Sequence, residues 1–232
     1  MIVALALLCA LQLPDTAAAA AGTDGLATID RVVAHGLSAG GYPGAAVVVG
    51  RHDRTLLVRG YGRLGWGAPA PAVDPSMTLY DLASLTKALA TGIAAMVLYD
   101  HGRLDLDARV DHYLPRWRGG GREQVTIRDL LVHRSGLPAG RELWRVAHSP
   151  AAARRAVLAT PLELLPDTRY VYSDLGSDVM GFVIEAIVHE PLDVYLTRHV
   201  YGPLGLRHIG FRPRGRDLHH LAWTDAPRGK VS

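Results

Sequence analysis

Between Ala45 and Val58 the chain carries its one clear β-hairpin, and every periodic segment after it is helical. Ala45 to Val49 and Thr55 to Val58 are compact apolar runs, separated by the turn Arg51-His52-Asp53-Arg54. Two strands alone are marginal in water, and their unpaired edges invite further strands. Nothing after Gly210 supplies them: the sequence closes in polar, irregular residues, Asp225 to Ser232. The pattern therefore predicts that a C-terminal β region is missing from this chain.

The helices are legible from spacing and caps. Asp30 to Leu37 is a short candidate, ended by the Gly40-Gly41-Tyr42-Pro43-Gly44 break. Gly65 to Pro75 reads as a loop. Leu85, Leu89, Ile93, Met96 and Val97 fall at helical spacing and stop at Gly102. Thr126 to His133 has a natural N-cap in Thr126, and Pro150 to Ala159 has Ser149 as N-cap with proline at the first helical position. Leu175, Val179, Met180, Val183 and Ile187 mark a long amphipathic helix opening at Ser173, and Leu192 to Val200 a last one before Gly202-Pro203. The four tryptophans, Trp66, Trp117, Trp144 and Trp223, are expected in core or loop packing. With 232 residues, nearly half of them apolar, the chain can bury a real core, which excludes disorder as its main state.

Ile2 to Leu13 is apolar and uncharged, and Pro14-Asp15-Thr16 then leads into Ala17 to Ala21. A short apolar run ending in small residues reads as a secretory signal over 1–21, too short to span a bilayer stably. Cys9, the single cysteine, lies inside it and is preceded by Leu8, not by the small residue a lipoprotein site needs. Residues 22–232 are then one partial domain of an exported, periplasmic or secreted, protein without disulfides. A net charge of +3, scattered along the chain, gives no footprint for nucleic acid. The chain has eleven histidines but no H-E-x-x-H, and His219-His220 are adjacent rather than on one helical face. No metal or other cofactor is expected, and the partner is a small-molecule or peptide substrate. Oligomeric state is not readable.

Three patterns bear on chemistry. Gly36-Leu37-Ser38-Ala39-Gly40 fits the G-x-S-x-G elbow, but that motif needs a strand before it and a helix after it, and Gly41 to Gly44 make a poor helix. Ser84-Leu85-Thr86-Lys87 is the better site. Residues three apart on a helix share a face, so Lys87 can reach the Ser84 hydroxyl, and a neutral or hydrogen-bonded amine can take its proton. Of the 25 basic residues only Lys87 and Lys230 are lysine, and arginine in its place would serve solvation but not base chemistry. A helix opening at Ser84 would also offer free N–H groups to an oxyanion. Read as structure alone, the same residues are a capping serine and a solvated lysine. Tyr172-Ser173-Asp174 stands before the long helix; Tyr172 can act as a general acid/base, or simply pack beside an N-cap.

Asp81-Leu82-Ala83-Ser84-Leu85-Thr86-Lys87 resembles the serine β-lactamase-related family, which groups class C β-lactamases, D-alanyl-D-alanine carboxypeptidases and esterases of one fold. The resemblance runs from about Tyr42 to about Phe211. It includes Tyr42-Pro43-Gly44, His101 to Asp107, Tyr113-Leu114-Pro115, the segment TIRDLLVHRSGLP from Thr126 to Pro138, and Pro203-Leu204-Gly205-Leu206. Tyr172-Ser173-Asp174 is similar to the family's Y-x-N motif with aspartate in place of asparagine. The resemblance implies an α/β fold, an antiparallel sheet with a helical region inserted after the hairpin and its C-terminal strands missing here. It implies Ser84 as the acylated nucleophile, Lys87 as its activating partner and Tyr172 as the proton relay. Asp174 would stand where the asparagine contacts lysine or the substrate amide. The family's late Lys/His-Thr/Ser-Gly motif is absent; His208-Ile209-Gly210 mimics it but sits in the late turn. The expected function is a serine hydrolase for an ester, peptide or β-lactam bond. The alternative is a truncated, inactive remnant or a cell-wall-peptide or penicillin-binding protein.

Overall fold

The computed structural model describes residues 21–67 and 69–223, so the expected signal segment apart from Ala21, and residues 224–232, lie outside it. The described chain falls into two compact units: residues through Asp81 together with those from Arg214, and Leu82–Pro213.

In the first unit, helix α1 (Ala21–Ser38) is longer than the predicted Asp30–Leu37 stretch. Ser38 ends this helix and donates to the His35 carbonyl, so the elbow reading of Gly36 to Gly40 has neither the strand nor the following helix it needs. The hairpin forms as strands β1 (Gly44–Arg51) and β2 (Arg54–Gly62), paired antiparallel in register Val48↔Val58. The turn falls where the sequence places it, at Arg51 to Arg54. Only His52 and Asp53 lie between paired Arg51 and Arg54, with His52 at φ 56° and a register shift between Val49 and Gly50. Arg59 and Tyr61 on β2 both bond the Asp30 carboxylate of α1, Tyr61 at 2.6 Å, which ties helix to strand. Gly65 is required where it stands, because a Cβ there would lie 2.2 Å from the Trp223 ring. Among the described residues the sheet keeps two strands, and the C-terminal segment adds a single parallel bridge, Leu79↔Leu221.

The second unit is helical. A stretch of π-helix (Lys87–Gly92) leads into α2 (Ile93–Asp100), followed by α3 (Val110–Tyr113), α4 (Ile127–Leu131), α5 (Leu143–Val146), α6 (Pro150–Ala159), α7 (Asp174–Val188) and α8 (Leu192–Leu196), the last running into a second π stretch (Thr197–Tyr201). Thr126 caps α4 through a reciprocal box with Asp129, and Ser149 caps α6 by accepting the Ala152 N–H at 3.2 Å. Both π stretches close on glycine. A Cβ at Gly92 would meet the Lys87 carbonyl oxygen at 2.8 Å, and one at Gly202 would meet that of Thr197 at 2.7 Å. Leu175, Val179, Met180, Val183 and Ile184 of α7 are buried against Ala94 and Leu98 of α2, Ile127 and Leu130 of α4, and Leu196. Trp117 belongs to this core, but Trp66 and Trp144 are exposed. Arg145 stacks on Trp144 at 4.6 Å in place of core packing. The short helices α3 and α5, each four residues, carry too little periodicity to be read from sequence. No helix among the described residues is long and apolar enough to cross a membrane.

Candidate active site

Ser84, Lys87, Tyr172 and Asp174 come together within the second unit, although 85 positions separate Lys87 from Tyr172 in sequence. Ser84 stands in a turn before the helix rather than on its first residue. Ala83 takes a positive φ of 43°, and the N–H groups of Leu85, Thr86 and Lys87 bond back to Leu82, Ala83 and Ser84. This tight winding corrects the expectation of several free N–H groups at the helix start. The Ser84 N–H, by contrast, bonds no backbone carbonyl among the described residues. The turn still brings residue 87 round to residue 84, with Lys87 Nζ donating to Ser84 Oγ at 3.3 Å.

α7 supplies the opposite wall. Its N-cap Ser173 accepts the Gly176 N–H at 3.1 Å and donates to the Pro138 carbonyl at 2.7 Å, while the Asp174 N–H donates to the Ala139 carbonyl at 2.7 Å. These bonds fix the entry to α7 against the 138–139 segment. They aim Asp174 Oδ1 at Lys87 Nζ, 2.6 Å away. Lys87 Nζ lies 4.8 Å from the Tyr172 ring centre, and Ser84 and Lys87 are the groups that act most strongly on the Tyr172 hydroxyl.

The electrostatics distribute protons unevenly. Burial opposes the Lys87 charge, but the Asp174 carboxylate and the Tyr172 hydroxyl outweigh it, and the pKa of Lys87 stands above the ordinary lysine value. Of the neutral and the hydrogen-bonded amine that the sequence leaves open, the Asp174 carboxylate favours a hydrogen-bonded ammonium. Hydrogen bonds from Ser84 and Lys87 pull the Tyr172 phenol below the usual tyrosine range. The two shifts run in opposite directions, so of the groups beside Ser84 the Tyr172 hydroxyl gives up its proton more readily than Lys87 does.

Two further residues join the site, and sequence reading did not single them out. His133, read only as the end of a helix, lies two residues past α4 at φ 59° and packs its ring 4.5 Å from that of Tyr172. A hint was available: a helix end calls for a left-handed residue, which glycine or asparagine usually fills, and histidine is enriched there among the rest. Asp178 is one turn beyond Asp174 on α7. Gly181, on the same face, approaches the Thr91 side chain, so Asp178 lies between two points of contact with the Lys87–Gly92 stretch. Burial, then the Asp174 charge, push its pKa from 3.8 to about 6, with Lys87 pulling the other way.

Asp178 makes pH a stability variable. Below pH ~4 the carboxyl is protonated in folded and unfolded chains alike and carries no charge penalty. Between ~4 and ~6 the unfolded chain loses its proton first, so stability falls as pH rises. Asp178→Asn is expected to stabilise the fold by about 2 kcal/mol at pH 7.5 and by nothing measurable at pH 4. Urea denaturation at the two pH values measures this; an equal gain at both would contradict it. Among the described residues no three His, Cys, Asp or Glu side chains gather as metal ligands do.

The chain belongs to the β-lactamase family, which matches residues 29–232. Among its relatives is an N-acetylmuramyl-L-alanine amidase of Bacillus subtilis (strain 168), 31% identical over 209 residues, or 82% of this chain and 47% of that protein. A Salmonella agona (strain SL483) protein provisionally named a D-alanyl-D-alanine carboxypeptidase is 31% identical over 191 residues, covering 75% and 44%. Two solved structures share the fold. A class C β-lactamase matches with a TM-score of 0.76 and 22% identity over 87% of this chain and 55% of its own. EstCE1, a hydrolase with promiscuous acyltransferase activity, matches with a TM-score of 0.69 and 27% identity over 85% and 55%. The fold is thus of the β-lactamase/transpeptidase type, helix-rich with a small antiparallel sheet. The chain spans about half the length of the relatives it matches.

Proposed function

We propose that the protein is a serine hydrolase that works through an acyl-enzyme on an ester, peptide or β-lactam bond. The observation that carries this reading is the Lys87 ammonium donating to Ser84 Oγ with the Tyr172 ring beside it, backed by the Lys87–Asp174 pair. Ser84 Oγ attacks the substrate carbonyl carbon while its proton passes to the Tyr172 oxygen, held as a phenolate-like acceptor by the Lys87 charge. The carbonyl oxygen becomes an oxyanion toward which the Ser84 N–H can donate. Collapse breaks the bond to the leaving group, which takes the proton back from Tyr172 and leaves Ser84 acylated. Water then attacks the ester with Tyr172 again as base, releasing the acid and restoring Ser84. Lys87 stays an ammonium throughout and stabilises each negative charge in turn.

The names of the amidase and carboxypeptidase relatives point to cell-wall peptides as one substrate class, and to an exported protein with residues 1–21 as its leader and 22–232 as its hydrolase domain. Asp174 favours esters within that range. An ionised carboxylate accepts hydrogen bonds but donates none, so it cannot hold a substrate amide oxygen as an asparagine would. Asp174→Asn is expected to raise the amide-to-ester ratio of kcat/KM about tenfold, the worth of one hydrogen bond. Matched ester and amide substrates measure the ratio, and an unchanged value would sink the preference.

A second reading is a binding protein that takes up cell-wall peptide or penicillin without turnover. It is favoured by His208-Ile209-Gly210, which has the outline of the late substrate-binding motif but lies in irregular chain. Assay of the purified protein on a p-nitrophenyl ester, a D-alanyl-D-alanine peptide and a chromogenic β-lactam separates the two. Repeated turnover of any one supports the hydrolase, and binding without product supports the second reading.

A further inference from the structure

His133 holds Tyr172 from both sides along the chain. Its carbonyl oxygen accepts the Val171 N–H at 2.9 Å, and its ring Nδ1 accepts the Ser173 N–H at 3.1 Å. The residue between those two donors is Tyr172. The imidazole also lies against the Tyr172 ring, centroids 4.5 Å apart and tilted by 43°, with the Tyr170 ring meeting it edge-on at 5.9 Å. One residue thus sets the backbone on which the phenol is mounted and buttresses the phenol itself.

This arrangement fixes the state of the imidazole. An acceptor at Nδ1 has a free lone pair there, so the ring is neutral with its proton on Nε2. The charged groups that bear on it are Lys87 of the π stretch and Asp174 of α7, and the remaining neighbours are the two tyrosines. Burial first, and the Lys87 charge second, hold the pKa of His133 below the ordinary histidine value, against the pull of the Asp174 carboxylate. A proton on Nδ1 would turn the acceptor into a donor facing the Ser173 N–H. It would also add a second cation beside Lys87.

We propose that His133 is a positioning residue for Tyr172: as the neutral imidazole it seats the phenol against Ser84 and Lys87, and protonation of Nδ1 unseats it. The consequence for catalysis rests on the hydrolase reading above; the geometric coupling of His133 to Tyr172 does not. Acid pH therefore acts on the site through a residue that itself touches no reacting atom.

Three substitutions separate the contributions. His133→Asn keeps a side-chain acceptor and suits the left-handed backbone, but removes the ring and the titration. His133→Phe keeps a ring and removes the acceptor, and His133→Ala removes both. The first readout is the Tyr172 ring signal in NMR spectra of tyrosine-labelled full chain, assigned with Tyr172→Phe. In wild type this signal is expected to shift with the protonation of His133, and in His133→Asn that inflection is expected to vanish. In His133→Ala the Tyr172 phenol pKa is expected to rise toward that of free tyrosine. The second readout is acylation by a p-nitrophenyl ester. His133→Ala is expected to lower kcat by thirtyfold or more with KM changed less than twofold. His133→Asn is expected to recover at least tenfold of that loss, without the His133 component of the acid limb. A Tyr172 signal indifferent to His133, or alanine and asparagine variants equally impaired with the wild-type pH profile, would overturn the proposal. If the ring signals respond as stated while no variant and no wild type is acylated, the hydrolase reading fails and the positioning role stands.

Discussion

Ser84→Ala is expected to lower ester hydrolysis by at least about 10⁴-fold, because a nucleophile that acts as one unit with its base leaves only background catalysis when removed. The loss falls on kcat, since the hydroxyl forms a bond only in the reaction and contributes little to substrate binding. The fold is expected to persist: Ser84 stands in a turn, outside the core, and the change deletes one hydroxyl. Lys87 keeps its stronger partner, Asp174 at 2.6 Å, so no charge is left unpaired. Burst and steady-state kinetics with a p-nitrophenyl ester measure the effect. Retention of more than a hundredth of wild-type kcat would mean that another group is the nucleophile.

Tyr172→Phe is the second large effect, a fall of roughly 10²–10⁴-fold, the usual worth of a positioned general base. The ring remains against His133, and Tyr172 is half exposed, so stability is expected to change little. What disappears is the oxygen that receives the Ser84 proton. Lys87 cannot replace it while Asp174 keeps it charged. The double variant Tyr172→Phe with Asp174→Asn removes the carboxylate that raises the Lys87 pKa, and partial recovery at high pH is expected as the amine becomes available. The pH–rate profiles of the single and double variants measure this. Equal profiles would show that Asp174 does not hold the Lys87 proton.

What was legible in the sequence follows from how local each feature is. The caps Thr126, Ser149 and Ser173 were readable because a capping side chain bonds a backbone group within three residues. The hairpin and α7 were readable because their apolar periods are long enough to exclude alternatives. Ser84 and Lys87 were readable for the same reason, being three residues apart on one turn. The proton distribution was not. It depends on Asp174 reaching Lys87 from another helix, which no spacing within either segment encodes. His133 escaped for a related reason. Its work is done at Val171 and Ser173, about forty residues away in sequence, and a histidine ending a helix carries no local mark of it. The π stretch was hidden too, because Leu85, Leu89 and Ile93 keep an ordinary α-helical spacing, and only Gly92 hinted at the wider turn.

The central claim is that Ser84 is an activated nucleophile. Intact-mass spectrometry of the folded protein after a serine-directed fluorophosphonate, with peptide mapping, tests it most directly. A single adduct on Ser84 is expected, absent in Ser84→Ala and formed at least about a hundredfold more slowly in Tyr172→Phe. An adduct on any other residue, or none on protein shown by circular dichroism to be folded, would contradict the account.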